Sequence, residues 1–190
     1  MVAIDAKAFI LDAATRMCGF EDYKFIMERY RAADVSKDEP FQRRFTYFYR
    51  VRRSREWLDA FYRLFQRLRP VENLGFERVL GEVAEISDGR VEISFASKML
   101  ATIRTEMPIW DKYVRINLDL PEIPPATSQG REKAAVAAYA ELVEKANALL
   151  AREDVKREIR VFDEAFPAYA SFSDMKKLDF LLWGANRVEG

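Results

Sequence analysis

Hydrophobic positions recur at three- and four-residue spacing along almost the whole chain, which predicts helix after helix. Over residues 3–17, Phe9, Ile10, Ala13, Ala14 and Met17 share one face, with Gly19 as a natural stop. Phe20, Tyr23, Ile26, Met27 and Tyr30 repeat the pattern over 20–32, and two further helices are predicted over 38–52 and 54–69, closed by Pro70. Val79, Leu80, Val83 and Ile86 mark another over 76–87, ended by the turn pair Asp88-Gly89. A helix over about 91–105 and a short element from Asp111 follow.

The Pro-rich stretch "LDLPEIPPATSQG" (118–130) is the one convincing long loop, and an alanine-rich helix over 131–151 comes after it. "DVKREIRVFDEAF" and "DMKKLDFLLWGAN" complete the series, the latter with Met175, Leu178, Leu181, Leu182 and Ala185 at core spacing. "GRVEISF" (89–95) is the only place where a short strand could hide. The expectation is therefore an all-α, compact multi-helix domain over 1–190, with room for two helical lobes, divided near 70–90, and a cleft between them.

Composition narrows the chemistry. Nearly half of the 190 residues are hydrophobic, a third are charged, and the formal net charge is zero, the profile of a soluble globular protein. No run is long and apolar enough to suggest a membrane span, and acids interrupt the N-terminal apolar residues, so a cytoplasmic location is expected. There is one cysteine, Cys18, and no histidine. An internal disulfide is excluded, and ordinary zinc sites and histidine-based triads go with it. Any catalysis must use lysine, carboxylate, tyrosine, serine or arginine.

One segment departs from the neutral whole. Residues 41–69 hold nine arginines, nine aromatics, no lysine and only two acids. Arginine clusters suit phosphate, and aromatic faces can stack bases, which makes Arg43, Arg44, Arg52, Arg53, Arg63 and Arg67 candidate nucleic-acid contacts. The same aromatics are also spaced as two buried helical stripes, which would leave the arginines as solvated backs or partners of acids elsewhere.

"FASKMLATIRTEMPIWDKYV" (95–114) carries the other candidates. On a helix turning ~100° per residue, Ala96, Met99, Leu100 and Ile103 share one side and Lys98 points away from them. Around Lys98 lie Ser94, Ala101, Thr102 and Thr105, all small, which suits close approach by another chain or a ligand. Asp111 follows the break at Pro108, where a carboxylate can also cap a helix. A plain surface lysine and a plain cap are the alternatives to a Lys98–Asp111 catalytic pair.

This strip resembles the active-site region of the helix-hairpin-helix DNA glycosylases, and more closely a bacterial branch similar to 8-oxoguanine glycosylases. The residues that carry the resemblance are Ser97, Lys98 and Leu100, then Pro108, Ile109, Asp111 and Val114, and near the C-terminus Leu178, Asp179, Leu182 and Trp183. Where well-studied members place a Gly-x-Gly hairpin just before the lysine, this chain has "SFASK". The resemblance implies a glycosylase and abasic-site (AP) lyase acting on a flipped damaged base in DNA. Neutral Lys98 would attack the anomeric carbon, and Asp111 would hold the amine neutral and stabilise charge developing on the sugar. Arg104 or Lys112 would supply a nearby cation, and Trp110 and Tyr113 are candidates to stack the extruded base. No metal or organic cofactor is implied. Two other readings remain open: a non-catalytic nucleic-acid-binding protein on the same fold, and a protein-interaction module. The lesion, the pathway and the oligomeric state stay open at this point.

Overall fold

The computed structural model describes residues 4–7, 19–123 and 128–185. These form nine α-helices and no strand: α1 Phe20–Ala32, α2 Glu39–Phe48, α3 Arg55–Leu68, α4 Phe76–Glu85, α5 Ile93–Ile103, α6 Lys112–Asn117, α7 Ser128–Ala151, α8 Glu153–Ala165 and α9 Asp174–Ala185, with a 3-10 turn at Pro167–Tyr169. The chain is all-α, as its periodicity predicts. The helix expected over 3–17 lies largely outside the described residues, as does part of the Pro-rich loop. "GRVEISF" is a turn followed by a helix start: Asp88 and Gly89 take left-handed backbone (φ 53° and 75°), and α5 begins at Ile93.

Local chemistry sets the helix starts. Asp38 accepts the Phe41 amide at 3.0 Å, with Pro40 in the first turn, and Ser54 accepts the Trp57 amide at 3.3 Å. Each such cap is worth about 1 kcal/mol, because it satisfies an amide the helix itself leaves unpaired. One continuous cluster of buried side chains runs from Phe20 on α1 to Leu182 on α9. Helices α1 and α2 pack together, α4 and α5 form a helical hairpin, and α9 lies against α6, α7 and α8. No described helix is long and apolar enough to cross a membrane.

Candidate functional site

Helix α5 is buried on nearly every side. Ala96, Met99 and Leu100 face the core as expected, but Ser97, Lys98, Ala101 and Thr102 are buried as well. The small residues of the second face allow close approach by the chain's own backbone at the end of α2. Lys98, only 9% exposed, donates from Nζ to the Tyr49 carbonyl at 3.2 Å and to Ser94 Oγ at 2.9 Å. A surface lysine is thereby excluded. Burial pushes the Lys98 ammonium below its ordinary range, and the positive charge of Lys176 reinforces the shift. Asp111, expected to hold the amine neutral, instead favours its charged form, as Asp179 does less strongly, because a carboxylate stabilises a nearby cation.

A short strap carries Asp111 to the same place. Ser97 Oγ accepts the Trp110 amide at 2.9 Å, and the Tyr139 hydroxyl donates to the Pro108 carbonyl at 2.8 Å. Residues 108–110 are therefore held from both sides, by α5 and by α7. Asp111 then caps α6, its Oδ1 accepting the Tyr113 amide at 2.9 Å. Its cap and its position in the cleft are compatible, since a carboxylate has a second oxygen.

The opposite wall is built on α9. Lys176, 5% exposed, donates to Asp179 Oδ2 at 2.6 Å. Its ammonium also lies 4.7 Å from the ring centres of Tyr23 and Phe180, 5.3 Å from Phe48 and 5.6 Å from Tyr49. Phe48 holds its place because Gly19, at φ 63°, has no side chain: a Cβ there would sit 2.8 Å from the Phe48 ring. The Ser173 hydroxyl donates to the Thr105 carbonyl at 2.6 Å, which ties the start of α9 to the end of α5.

Between these walls lies a cleft of about 730 Å³, lined by Lys98, Asp111, Lys176, Asp179, Phe48 and Trp183 among others. The structure thus brings Lys98 and Asp111 together, although they are 13 residues apart in sequence. Arg50, Arg52 and Tyr47 form part of the same lining. Its size falls within the range of ligand pockets, roughly 300–1,000 Å³. An amine of lowered basicity, a carboxylate, aromatic faces and flanking cations can together support attack on an electrophilic carbon. Among the described residues, no group of three or more His, Cys, Asp or Glu side chains is placed to hold a metal ion.

Other candidates fall elsewhere. Trp110, expected to stack a base, is 7% exposed; its side chain belongs to the core and anchors the strap, so its ring faces are covered by protein. Tyr113 is exposed, and its ring meets Trp183 edge-on at 6.2 Å; of the two, Trp183 lines the cleft. Neither suggested cation stands beside Lys98: Arg104 binds Glu106 and the Leu74 carbonyl, and Lys112 is exposed on α6 outside the cleft lining. Lys176 takes that position. It was missed because it lies far along the chain, and its one sequence signal is the Lys-x-x-Asp spacing that puts Asp179 on the same helical face.

The arginine-rich segment divides in two. Arg44 pairs with Asp22, Arg53 with Glu92, and Arg67 with Glu82. Arg43 lies 3.8 Å from Glu39 on the surface. Arg63 is exposed with no ion pair among the described residues, and Arg52 lines both the cleft and a neighbouring open groove. The aromatic stripes are core: Phe41, Phe45, Trp57, Phe61, Tyr62 and Phe65 are buried. No protein-family model, curated protein or solved structure matches the chain.

Proposed function

We propose that the cleft is the site of a DNA glycosylase and abasic-site lyase, with Lys98 as nucleophile and Asp111 as its carboxylate partner. The observation that carries this reading is the Lys98 amine. It is buried, bonded only to neutral oxygens, depressed in basicity by desolvation, and open to a cleft that also holds a carboxylate. Such an amine is available in its neutral, nucleophilic form nearer to neutral pH than a solvated lysine is.

Attack of Nζ on C1′ of a flipped nucleotide forms the C–N bond as the bond to the base breaks, and the base leaves with that electron pair. The attacking amine gives one proton to the departing base. The nitrogen lone pair then breaks the C1′–O4′ bond, O4′ takes a proton from water, and a protonated Schiff base results. Water accepts the C2′ proton, and the electron pair left behind expels the 3′ phosphate with its C3′–O pair by β-elimination. Asp111 offsets the positive charge that develops on the sugar. Phe48 and Trp183 supply aromatic faces for the base, and Lys176 keeps a second positive charge in the wall that favours the neutral form of Lys98.

The second reading, nucleic-acid binding without chemistry, is favoured by one observation. Asp111 already caps α6, and Lys98 already bridges α2 and α5, so both residues have structural work. Borohydride trapping on duplex DNA with a single abasic site separates the two. A covalent adduct is expected with the native chain and not with Lys98→Ala. If the native chain binds this DNA and yields no adduct, the catalytic reading falls and the binding one stands.

A further inference from the structure

Tyr47 is the most exposed large hydrophobic side chain among the described residues, at 75%. It stands in the last turn of α2 at the cleft, while its neighbours Phe45 and Tyr49 are buried. Leaving an aromatic ring in water forfeits the burial that stabilises the rest of this helix. Three residues on, Arg50 takes left-handed backbone, φ 52°, and is exposed.

The arginines of this region sharpen the contrast. Of the nine between 41 and 69, six have partners within the chain: Arg43, Arg44, Arg53, Arg55 and Arg67 pair with acids, and Arg69 donates to the Ala33 and Arg31 carbonyls. Arg50, Arg52 and Arg63 have guanidinium groups with no ion pair or hydrogen bond to any described residue. Two of these three, Arg50 and Arg52, line the cleft beside Tyr47. Arg52 also borders an open groove of mixed charge, where Glu56 and Asp88 offset the arginines and Arg53 and Arg90 already have partners, so the groove's unpartnered cations are confined to the cleft side.

We infer that the connection between α2 and α3 is a rim that grips a nucleic-acid strand, with Tyr47 stacked on a base at the cleft mouth and Arg50 and Arg52 holding the phosphates on either side. Base–aromatic stacking tolerates any sequence, and a guanidinium fork fits phosphate oxygens. An acidic peptide fits less well. Its carboxylates would meet Asp111 and Asp179 within the cleft, whereas a strand sends an uncharged base inward and leaves its charge at the rim. The inference deepens the proposed function, on which it rests for the cleft as the base-receiving site.

The test is equilibrium binding by fluorescence anisotropy to a duplex carrying one tetrahydrofuran abasic analogue, which has no aldehyde to react with Lys98, and to the fully paired duplex. Tyr47→Ala is expected to weaken binding to the lesion duplex by on the order of 10-fold, and to change binding to the paired duplex far less. Arg50→Gly, which suits the left-handed backbone, and Arg52→Ala are each expected to lower the slope of log affinity against log salt by about 0.7–0.9. Arg63→Ala, whose arginine is equally unpartnered but outside the cleft lining, is expected to leave that slope unchanged. Thermal unfolding establishes that each variant is folded. The rim is overturned if the three rim variants bind as the native chain does, if Arg63→Ala weakens binding as much as Arg52→Ala, or if the native chain binds neither duplex. Because binding needs no covalent step, rim effects without a borohydride adduct leave the rim and remove the lyase. An adduct with unaffected binding does the reverse.

Discussion

The two walls of the cleft each bury a lysine, and they treat it in opposite ways. On the α9 wall, Lys176 has a carboxylate at 2.6 Å and four aromatic rings around it. On the α5 wall, Lys98 has a backbone carbonyl and a serine hydroxyl, both neutral, and one ring, Phe95, at 5.7 Å. Both amines are removed from water, but only one receives a full countercharge at contact distance. What separates the two lysines is the charge of the nearest partner. Burial alone does not distinguish them.

The largest effect is expected from breaking the α9 wall. Asp179→Asn leaves the Lys176 ammonium buried without its counterion, at a cost of about 3–5 kcal/mol in urea unfolding. Adding Lys176→Met to that variant is expected to recover most of the loss, because no buried charge then remains. If Asp179→Asn unfolds like the native chain, the ion pair contributes nothing and the contrast between the walls disappears.

A smaller loss is expected at the point where the aromatic cage is held. Gly19→Ala places a Cβ 2.8 Å from Phe48 at a backbone angle of 63° that favours glycine. Strain and displacement of the ring together are expected to cost about 1–3 kcal/mol, read as a lower urea midpoint.

The smallest effect has the opposite sign. Lys98→Met is expected to raise the melting temperature at neutral pH, by about 2–4 °C for each kcal/mol of relief. The folded-state pKa of Lys98 lies below its ordinary value of 10.5, so the unfolded chain binds more protons between the two values. Native stability therefore rises with pH across that window, and the advantage of Lys98→Met shrinks as pH approaches 10.5. An advantage that stays constant from pH 7 to above 10.5 would show that Lys98 titrates as a solvated lysine does.

Much of the helical framework was legible because each helix writes its buried face in its own sequence. Phe20, Tyr23, Ile26, Met27 and Tyr30 are all buried, and α1 spans the predicted residues. Helix α5 was harder. Its wheel has one apolar side, and its second side is small and polar, so nothing local told that the end of α2 would cover Lys98. The arginines were illegible for a related reason. Asp22, Glu92 and Glu82 lie 22, 39 and 15 residues from the arginines they neutralise, and no periodicity spans such distances. Lys98 and Asp111 were readable as a pair only through resemblance; the contacts that bring them to one cleft, Ser97 to Trp110 and Tyr139 to Pro108, belong to the tertiary structure.

Ser97 gives that arrangement a mechanical property. The residue that fastens the strap bearing Asp111 is the immediate neighbour of Lys98 on the same turn of α5. Amine and acid thus both take their position from α5, with Tyr139 of α7 holding the strap from its other side. A site built this way sets the registration of its amine and its carboxylate from one wall.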